Sequence, residues 1–233
     1  MDKATISGDI IASTSLSDAG RKIIEDALKN LLDELKIKFN VFGRVIKGDY
    51  LECYVPQTDQ ALRIALVIKS FVKSININKS GIANNDSRLK LFKIHGIRLA
   101  IGIGKLSRLN ITEGIMDGEA IYNSGRIISE SKTYNKEKVT IKNTLYLKSS
   151  NEDIDNQFEP LLALIDVILS KSTSKQCQVL YLKLMRYDEK QIMKKLKLMQ
   201  STVNQHSTSV GWHAIEKAVI RFENVMLAKN IEL

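Results

Sequence analysis

Two aspartates each follow a glycine near the end of a strand-like segment, and they are the first residues of this chain that suggest a chemistry. Asp9 follows Gly8 in a β-branched run, and Asp49 follows Gly48 between two short strand-like segments. A carboxylate pair on adjacent strands can hold Mg²⁺, which completes its octahedral shell with water and substrate phosphates. The alternative is that both aspartates only satisfy turn backbone, because Gly-Asp steps are common in turns.

Two further features favour phosphate chemistry. Arg98 precedes a glycine-spaced strand at 101–104, and the segment 117–120, Asp-Gly-Glu-Ala, opens a helix that carries Arg126. Arginine binds phosphate through a fork of N–H donors, and the start of a helix favours an anion. The sequence therefore predicts a site for a metal and a nucleotide whose residues come from different elements.

The hydrophobic pattern predicts a β-α-β-β-α-β order that would bring these residues together. Strands are expected over 4–12, 41–47, 50–55 and 97–104, and helices over 19–38 and 59–75. That order is typical of the ferredoxin-like split βαβ arrangement, an antiparallel sheet with both helices on one face. Because its first strand lies beside the central hairpin, Asp9 and Asp49 are expected to meet. A third helix is expected over 118–131, with Tyr122 and Arg126 on one face, and strand and loop over 132–148.

The chain changes character around the polar stretch 149–157. Beyond it the pattern is helical, with apolar-periodic helices expected over 159–172 and 175–186. We therefore divide the chain into an α+β domain at 1–150 and an all-α domain at 157–233.

The second domain is expected to contain a helix-turn-helix. Segment 198–205 resembles the turn and the start of a recognition helix, with Ser201 as N-cap, after a helix capped by Asp188. A recognition helix presents its first turn to the major groove, while nearby cations contact phosphates. The expected DNA-binding residues are Ser201, Thr202, Asn204, Gln205, Lys194, Lys195 and Lys197, with Ser207 and Arg186 beside them. The alternative is a helical bundle with solvated lysines that packs on the first domain or on a second copy.

Four short motifs, in this order, resemble the SatD family of bacterial proteins. They are Ser7-Gly8-Asp9-Ile10-Ile11-Ala12-Ser13, Lys47-Gly48-Asp49, Ile97-Arg98 through Gly104, and Met116-Asp117-Gly118-Glu119-Ala120-Ile121-Tyr122 followed by Arg126. The resemblance covers nearly the whole chain, including its C-terminal helices. The N-terminal part also resembles the catalytic domain of class III nucleotide cyclases and, more distantly, GGDEF cyclases.

The cyclase resemblance implies a role for particular residues. It implies that the Asp9 and Asp49 carboxylates and the Ile10 carbonyl bind the metal, Mg²⁺ or Mn²⁺, and that Arg126 is the cation that binds the transition state. The implied catalytic residues are Arg126, Tyr122 and Asn123, and the nucleotide contacts are Arg44, Lys47 and Arg98.

The chain departs from the cyclase pattern at two places. Tyr122 stands where the cyclases usually have a catalytic Asn, and Asn123 is one position out of register. Val45 stands where the cyclases usually have the Lys or Glu that recognises the base, and Arg44 is adjacent to it. These departures weigh against nucleotide cyclisation by the familiar route, whereas the implied binding of metal and triphosphate is compatible with both.

The net charge indicates which binding partners are favoured, and the cysteines indicate the cellular compartment. Lys and Arg total 35 against 26 Asp and Glu, a net charge of +9 that favours an anionic partner or simply aids solubility. Cys53 and Cys177 lack metal or redox spacing, so they are expected to be buried apolar residues of a reducing compartment. With no leader and no apolar run of membrane-spanning length, a cytoplasmic protein without membrane contact is expected.

Three functions are compatible with these observations. The leading hypothesis is a cytoplasmic regulator in which a cyclase-like domain binds a nucleoside triphosphate and a helix-turn-helix binds DNA. The second is an active Mg²⁺-dependent nucleotide cyclase or nucleotidyltransferase, and the third is a non-catalytic dimeric interaction protein with a degenerate site. A homodimer is expected because the last helix has a long apolar face, which includes Trp212, Val219 and Phe222 and needs cover.

Overall fold

A computed structural model of the chain describes residues 2–46, 48–77, 89–130 and 143–231. Lys47 lies outside the described residues, as does most of the segment 132–148 for which strand and loop were predicted. The strands are β1 Lys3–Ile10, β2 Phe42–Ile46, β3 Tyr50–Val55, β4 Ile97–Gly104, β5 Leu106–Asn110, β6 Ile115–Gly118 and β7 Leu145–Lys148. The helices are α1 Asp18–Phe39, α2 Ala61–Ser74, α3 Leu89–His95, α4 Glu119–Glu130, α5 Glu152–Lys171, α6 Ser174–Leu184, α7 Glu189–Leu196, α8 Gln200–Ser209 and α9 Trp212–Ile231. The prediction of a mixed α+β chain is confirmed.

Five strands form the main sheet, in the order β2-β3-β1-β4-β7. The central strand β1 pairs antiparallel with both β3 and β4, and β2 pairs antiparallel with β3 as a hairpin. At the other edge β7 pairs parallel with β4. The hairpin β5–β6 follows β4 and was not predicted, because its strands are short and only partly buried and so lack a clear hydrophobic alternation.

Successive side chains of β1 point to opposite faces of the sheet, and the two faces contact different elements. Ile6 belongs to the hydrophobic core beneath α1 and α2, whereas Thr5 and Ser7 point to the opposite face. On that opposite face Ser124 of α4 lies 3.1 Å from the Thr5 hydroxyl and 2.8 Å from the Ser7 hydroxyl. Asp9 therefore projects from the face that α4 covers.

Helix α2 is surrounded by other elements, and every residue in it except Phe71 is buried. The sheet and α1 contact one side, and α6 and α9 contact the other. Phe158 of α5 and Phe222 of α9 meet edge to face behind it, with ring centroids 5.0 Å apart. The helices after residue 151 and the α+β part therefore share one hydrophobic core.

A buried ion pair joins α2 to α5. The Lys69 ammonium lies 3.1 Å from the Asp166 carboxylate, and it donates to the Thr144 hydroxyl at 2.6 Å and to the Ile97 carbonyl at 3.0 Å. Thr144 in turn donates its hydroxyl proton to Asp166 at 2.7 Å. One buried network thus connects α2, β4, the start of β7 and α5.

Two predicted helix starts are wrong. The polar stretch predicted to separate the domains contains the first turns of α5, which begins at Glu152 because the Asn151 side chain accepts the Asp153 and Ile154 N–H groups. Ser201 is not an N-cap, since α8 begins one residue earlier and Met199 is its N-cap.

Part of the apolar face of α9 is buried by the chain itself. Ile215, Val219 and Phe222 are buried in the core that α9 shares with α2 and α5. Trp212 of the same face is half-buried and Ile220 is 45% exposed, so the homodimer stays a prediction. Among the described helices, none combines the length and apolarity needed to cross a membrane.

Candidate functional site

The pairing of β1 with β3 brings the two aspartates to one edge of the sheet. Asp9 stands opposite Tyr50, the first residue of β3, so Asp49 immediately precedes its partner at the end of the β2–β3 turn. The Ile10 N–H donates to the Asp49 carbonyl at 3.0 Å, which holds the two chain segments together. Both aspartates are half-buried. The proximity expected from the strand order is therefore present in the backbone.

The turn after β1 orients the Asp49 side chain. Ala12 adopts a left-handed conformation with φ 56°, and a 3-10 turn at Ser13–Ser15 follows. This turn places the Ser13 hydroxyl so that it donates to Asp49 Oδ2 at 2.9 Å. Sequence reasoning did not assign Ser13 to the site, although Ser13 ends the first of the four motifs.

Arg98 lies against Asp9 inside the protein. The two residues stand opposite each other in the β1–β4 register, and Arg98 Nη1 is 3.8 Å from Asp9 Oδ2. Arg98 is only 3% exposed, which leaves it no surface for a nucleotide in this conformation. The predicted nucleotide contact is thus an ion-pair partner of Asp9, and its charge offsets that of the carboxylate.

Arg44 is also committed to the protein. Its guanidinium forms an ion pair with Glu52 at 2.6 Å and donates to the Gly114 carbonyl in the β5–β6 hairpin. This arginine therefore ties the hairpin to β2, and its predicted contact with a nucleotide would require these bonds to open.

Helix α4 directs the predicted catalytic residues away from the aspartates of the same chain. Ser124 points at the sheet, so Tyr122 and Arg126, each two positions away, lie about half a turn round the helix. Tyr122 is 60% exposed and donates to Asp117 Oδ1 at 2.7 Å, a hydrogen bond that raises the pKa of the phenol. Arg126 is also exposed, and Asn123 donates its amide to the Ile103 carbonyl at 3.3 Å.

The donor chemistry at the Asp9–Asp49 edge fits a hard divalent cation. The Asp9 and Asp49 carboxylates and the Ile10 carbonyl would offer oxygen ligands, which Mg²⁺ and Mn²⁺ prefer. Within residues 2–46, 48–77, 89–130 and 143–231, no three His, Cys, Asp or Glu side chains cluster as a full protein cage would require. Any metal at this edge would therefore complete its shell with water and ligand phosphates.

Two cavities of the described structure lie away from this edge. One of about 450 Å³ opens between β7 and α5, and one of about 280 Å³ opens beside α3 and the start of α6. Neither is lined by Asp9 or Asp49. A nucleotide at the two aspartates would therefore occupy another surface.

The residues predicted to contact DNA lie on α7, α8 and the turn between them. Most are exposed: Lys194, Lys195, Lys197, Ser201, Asn204 and Gln205, with Thr202 half-buried. Ser207 is buried at 7% exposure, beside the small apolar cluster that joins α6, α7 and α8, so the expectation that it faces DNA is wrong.

No protein-family model matches the chain, and no curated protein matches it. The SatD family therefore stays a prediction. Among solved structures, a bacterial light-regulated adenylyl cyclase is similar at 14% sequence identity and a TM-score of 0.41, over 63% of this chain and 74% of that one. A second structure of a bacterial light-regulated adenylyl cyclase has 13% identity and a TM-score of 0.41, over 64% and 43%. The guanylyl cyclase Cya2 has 14% identity and a TM-score of 0.35, over 56% and 70%.

Proposed function

We propose that the chain is a regulator whose α+β part binds a divalent metal and a nucleoside triphosphate at the Asp9–Asp49 edge and whose C-terminal helices bind DNA. The observation that carries the first half is the hydrogen bond between the Ile10 N–H and the Asp49 carbonyl beside Asp9. This bond holds the backbone of the two expected carboxylate ligands next to each other, which supports a shared metal. The strand order supports a ferredoxin-like, cyclase-like arrangement for this part.

Binding is favoured over turnover at this edge. The helix positions of Tyr122 and Arg126 face solvent, and Asn123 is bonded to β4. Transition-state stabilisation needs cationic donors at the reacting phosphate, and none of these three residues supplies one to the aspartates of its own chain. The triphosphate is therefore proposed as a signal that the protein senses.

Metal and triphosphate are expected to stabilise the protein together. Mn²⁺ or Mg²⁺ should raise the melting temperature because it binds the folded protein through Asp9 and Asp49, and ATP or GTP added with the metal should raise it further. At a ligand concentration 100 times Kd the gain is about 2.7 kcal/mol. Differential scanning fluorimetry with each nucleotide measures the effect.

Asp49→Asn should abolish both gains while leaving the apo protein folded, because an amide can still accept the Ser13 hydroxyl. The matched control is Asp33→Asn, the same change at an exposed position of α1, which should keep both gains. A wild-type melting temperature that moves with neither metal nor triphosphate would reject the nucleotide half of the proposal. If a cyclic nucleotide accumulates in the presence of metal and triphosphate, the protein is a cyclase and not a sensor of the triphosphate.

The second half of the proposal treats α7 and α8 as a helix-turn-helix. Lys197, with φ 54°, ends α7 in a left-handed conformation, and a short turn leads directly into α8. Ile192 and Val203 pack with α6 residues, which fixes the angle between the two helices. This packing supports a rigid α8 whose first turn is open to the major groove.

Base reading by α8 is expected to depend on Asn204 and Gln205. Either amide can pair bidentately with adenine, so alanine at either position should cost about 1–3 kcal/mol on a site selected from a random-sequence library and little on random DNA. Ser209→Ala, at the exposed far end of the same helix, is the control and should change neither affinity. Fluorescence anisotropy measures both affinities. Equal losses on selected and random DNA would rule out base reading.

A further inference from the structure

A cluster of cations joins the C-terminal end of α1 to the turn between α6 and α7. The Lys38 ammonium lies 3.9 Å from the centroid of the Tyr187 ring, and the Lys195 ammonium lies 4.7 Å from the same centroid. The Arg186 guanidinium is 5.6 Å from the centroid of Phe39. We call Lys38, Arg186 and Lys195, with these two rings, the junction patch.

The junction patch is open to solvent although aromatic rings support it. All three cationic residues are exposed, whereas Phe39 is buried and Tyr187 is half-buried. A ring face attracts a cation and limits the positions it can occupy. The patch thus presents three positive groups from two distant parts of the sequence on one surface.

The charges of the patch are only partly offset by carboxylates. Burial lowers the pKa of Lys38, repulsion from Lys195 and Arg186 lowers it further, and Glu34 opposes these effects. Arg186 has Glu223 at 3.9 Å, but that carboxylate bonds Arg63 more closely, at 2.7 Å.

The other nearby acids are Asp59 in the turn before α2, whose charge also interacts with Arg186, and Asp188 and Glu189 at the start of α7, which are engaged. Asp188 accepts the Gln191 N–H as the cap of α7, and Glu189 lies 3.7 Å from Lys183. Within the described part of the chain, neither Lys38 nor Lys195 has an ion pair within 4.0 Å. The patch therefore keeps a surplus of positive charge, which a multivalent anion would relieve.

We infer that the junction patch binds the phosphate backbone of duplex DNA, so that α1 of the α+β part and α7 contact the same molecule. This inference rests on the proposed DNA binding and extends its footprint to Lys38, which sequence reasoning did not select. Lys195 shares the Tyr187 ring with Lys38 and belongs to the helix that precedes α8, so we expect a duplex seated on α8 to pass near Lys38. An anionic membrane offers similar charge but would not engage the polar first turn of α8.

The test compares lysines at the two ends of α1 in the full chain. Lys38→Gln removes one charge from the patch, and Lys22→Gln makes the same change at an exposed position in the first turns of the helix. Affinity for a duplex of random sequence is measured by fluorescence anisotropy across a salt series. Each phosphate contact contributes about 0.9 to the slope of log affinity against log salt on duplex DNA.

Lys38→Gln should lower that slope by about 1 and weaken binding several-fold, while Lys22→Gln leaves both unchanged. Lys38→Arg keeps the charge above the ring and should restore the wild-type slope, which separates charge from packing. Unchanged slope in Lys38→Gln, with salt-sensitive wild-type binding, would overturn this inference and leave the proposed function standing. Absence of wild-type DNA binding at low salt would overturn both this inference and the DNA-binding half of the proposed function. Binding to phosphatidylserine vesicles without DNA binding would have the same consequence.

Discussion

Asp166→Asn is expected to lower the free energy of unfolding by about 3–5 kcal/mol, because it leaves the Lys69 ammonium buried without its counter-charge. Lys69 is fully buried and Asp166 is 4% exposed, so water cannot replace the lost carboxylate. The Thr144 hydroxyl, which bonds both residues, would also lose its charged acceptor. Because the network joins α2 to α5, the loss would loosen the C-terminal helices from the α+β part.

Urea denaturation measures this loss, and its pH dependence identifies the cause. Burial by itself would raise the pKa of Asp166, but Lys69 and the Thr144 hydrogen bonds more than offset this and hold the pKa below its usual value. A carboxyl with a lowered folded-state pKa contributes stability above its unfolded pKa of about 3.9 and loses it as the pH falls through the folded pKa. The difference between wild type and Asp166→Asn should therefore be complete at neutral pH and shrink in acid.

The control for the buried pair is an exposed one. Glu25→Gln breaks the contact of 2.6 Å between Glu25 and Lys29 on the outer face of α1 and should leave the stability nearly unchanged, because solvent screens such pairs. A loss below about 1 kcal/mol in Asp166→Asn, no larger than for one ordinary hydrogen bond, would mean that the network does not anchor α5.

Gly102→Ala is expected to lower the free energy of unfolding by more than about 3 kcal/mol. Overpacking usually costs about 1–3 kcal/mol, and here the clashing atoms belong to the backbone and cannot rotate away as a side chain could. A Cβ on Gly102 would lie 2.0 Å from the Ala120 carbonyl oxygen and 2.7 Å from the Ser124 nitrogen. Helix α4 would have to move off β4. The hydrogen bonds of Ser124 to Thr5 and Ser7 would then break.

The matched control is Gly125→Ala in the same helix. There a Cβ would meet nothing closer than the Tyr50 hydroxyl at 3.9 Å. Alanine in a helix interior is favoured over glycine by about 0.8–1 kcal/mol, so this variant should gain stability. Hydrogen exchange of the α4 amides, together with urea denaturation, separates the two variants. Similar stabilities for both would contradict the close approach of α4 to β4.

The strands β1 to β4 and the helices α1, α2 and α4 could be predicted because their signals are local. The alternating run at 97–104 coincides with β4, and the apolar positions of 19–38 lie in α1, which the Ser17 side chain caps. The Gly48-Asp49 step marked the hairpin correctly, because Gly48 has φ 79° and glycine reaches that conformation without strain. The polar stretch 149–157 was predicted to be a linker, but it contains the capped start of α5. Polar residues such as Asn, Ser and Asp are typical both of linkers and of helix N-termini, so composition does not distinguish the two.

The predicted site was harder to judge, since the state of a polar side chain depends on elements far away in sequence. Nothing near Arg44 or Arg98 in sequence identifies the Gly114 carbonyl or the Asp9 carboxylate as its partner. Helical spacing correctly placed Tyr122 and Arg126 on one face of α4. Only the packing of Ser124 against β1 decided that this face is turned outward.

The sequence by itself determined the order of β1 to β4 and of the helices α1, α2 and α4. It also determined the glycine-aspartate steps near the ends of strands and the basic character of the C-terminal helices, because each of these depends on neighbouring residues. The tertiary structure decided which charged side chains form buried ion pairs and which remain on the surface. Lys69 and Lys38 have the same side chain, yet Lys69 is enclosed with Asp166 while Lys38 stands exposed over the Tyr187 ring. Their difference arises from desolvation and from partners supplied by α5 and by the α6–α7 turn, which sequence neighbours do not encode.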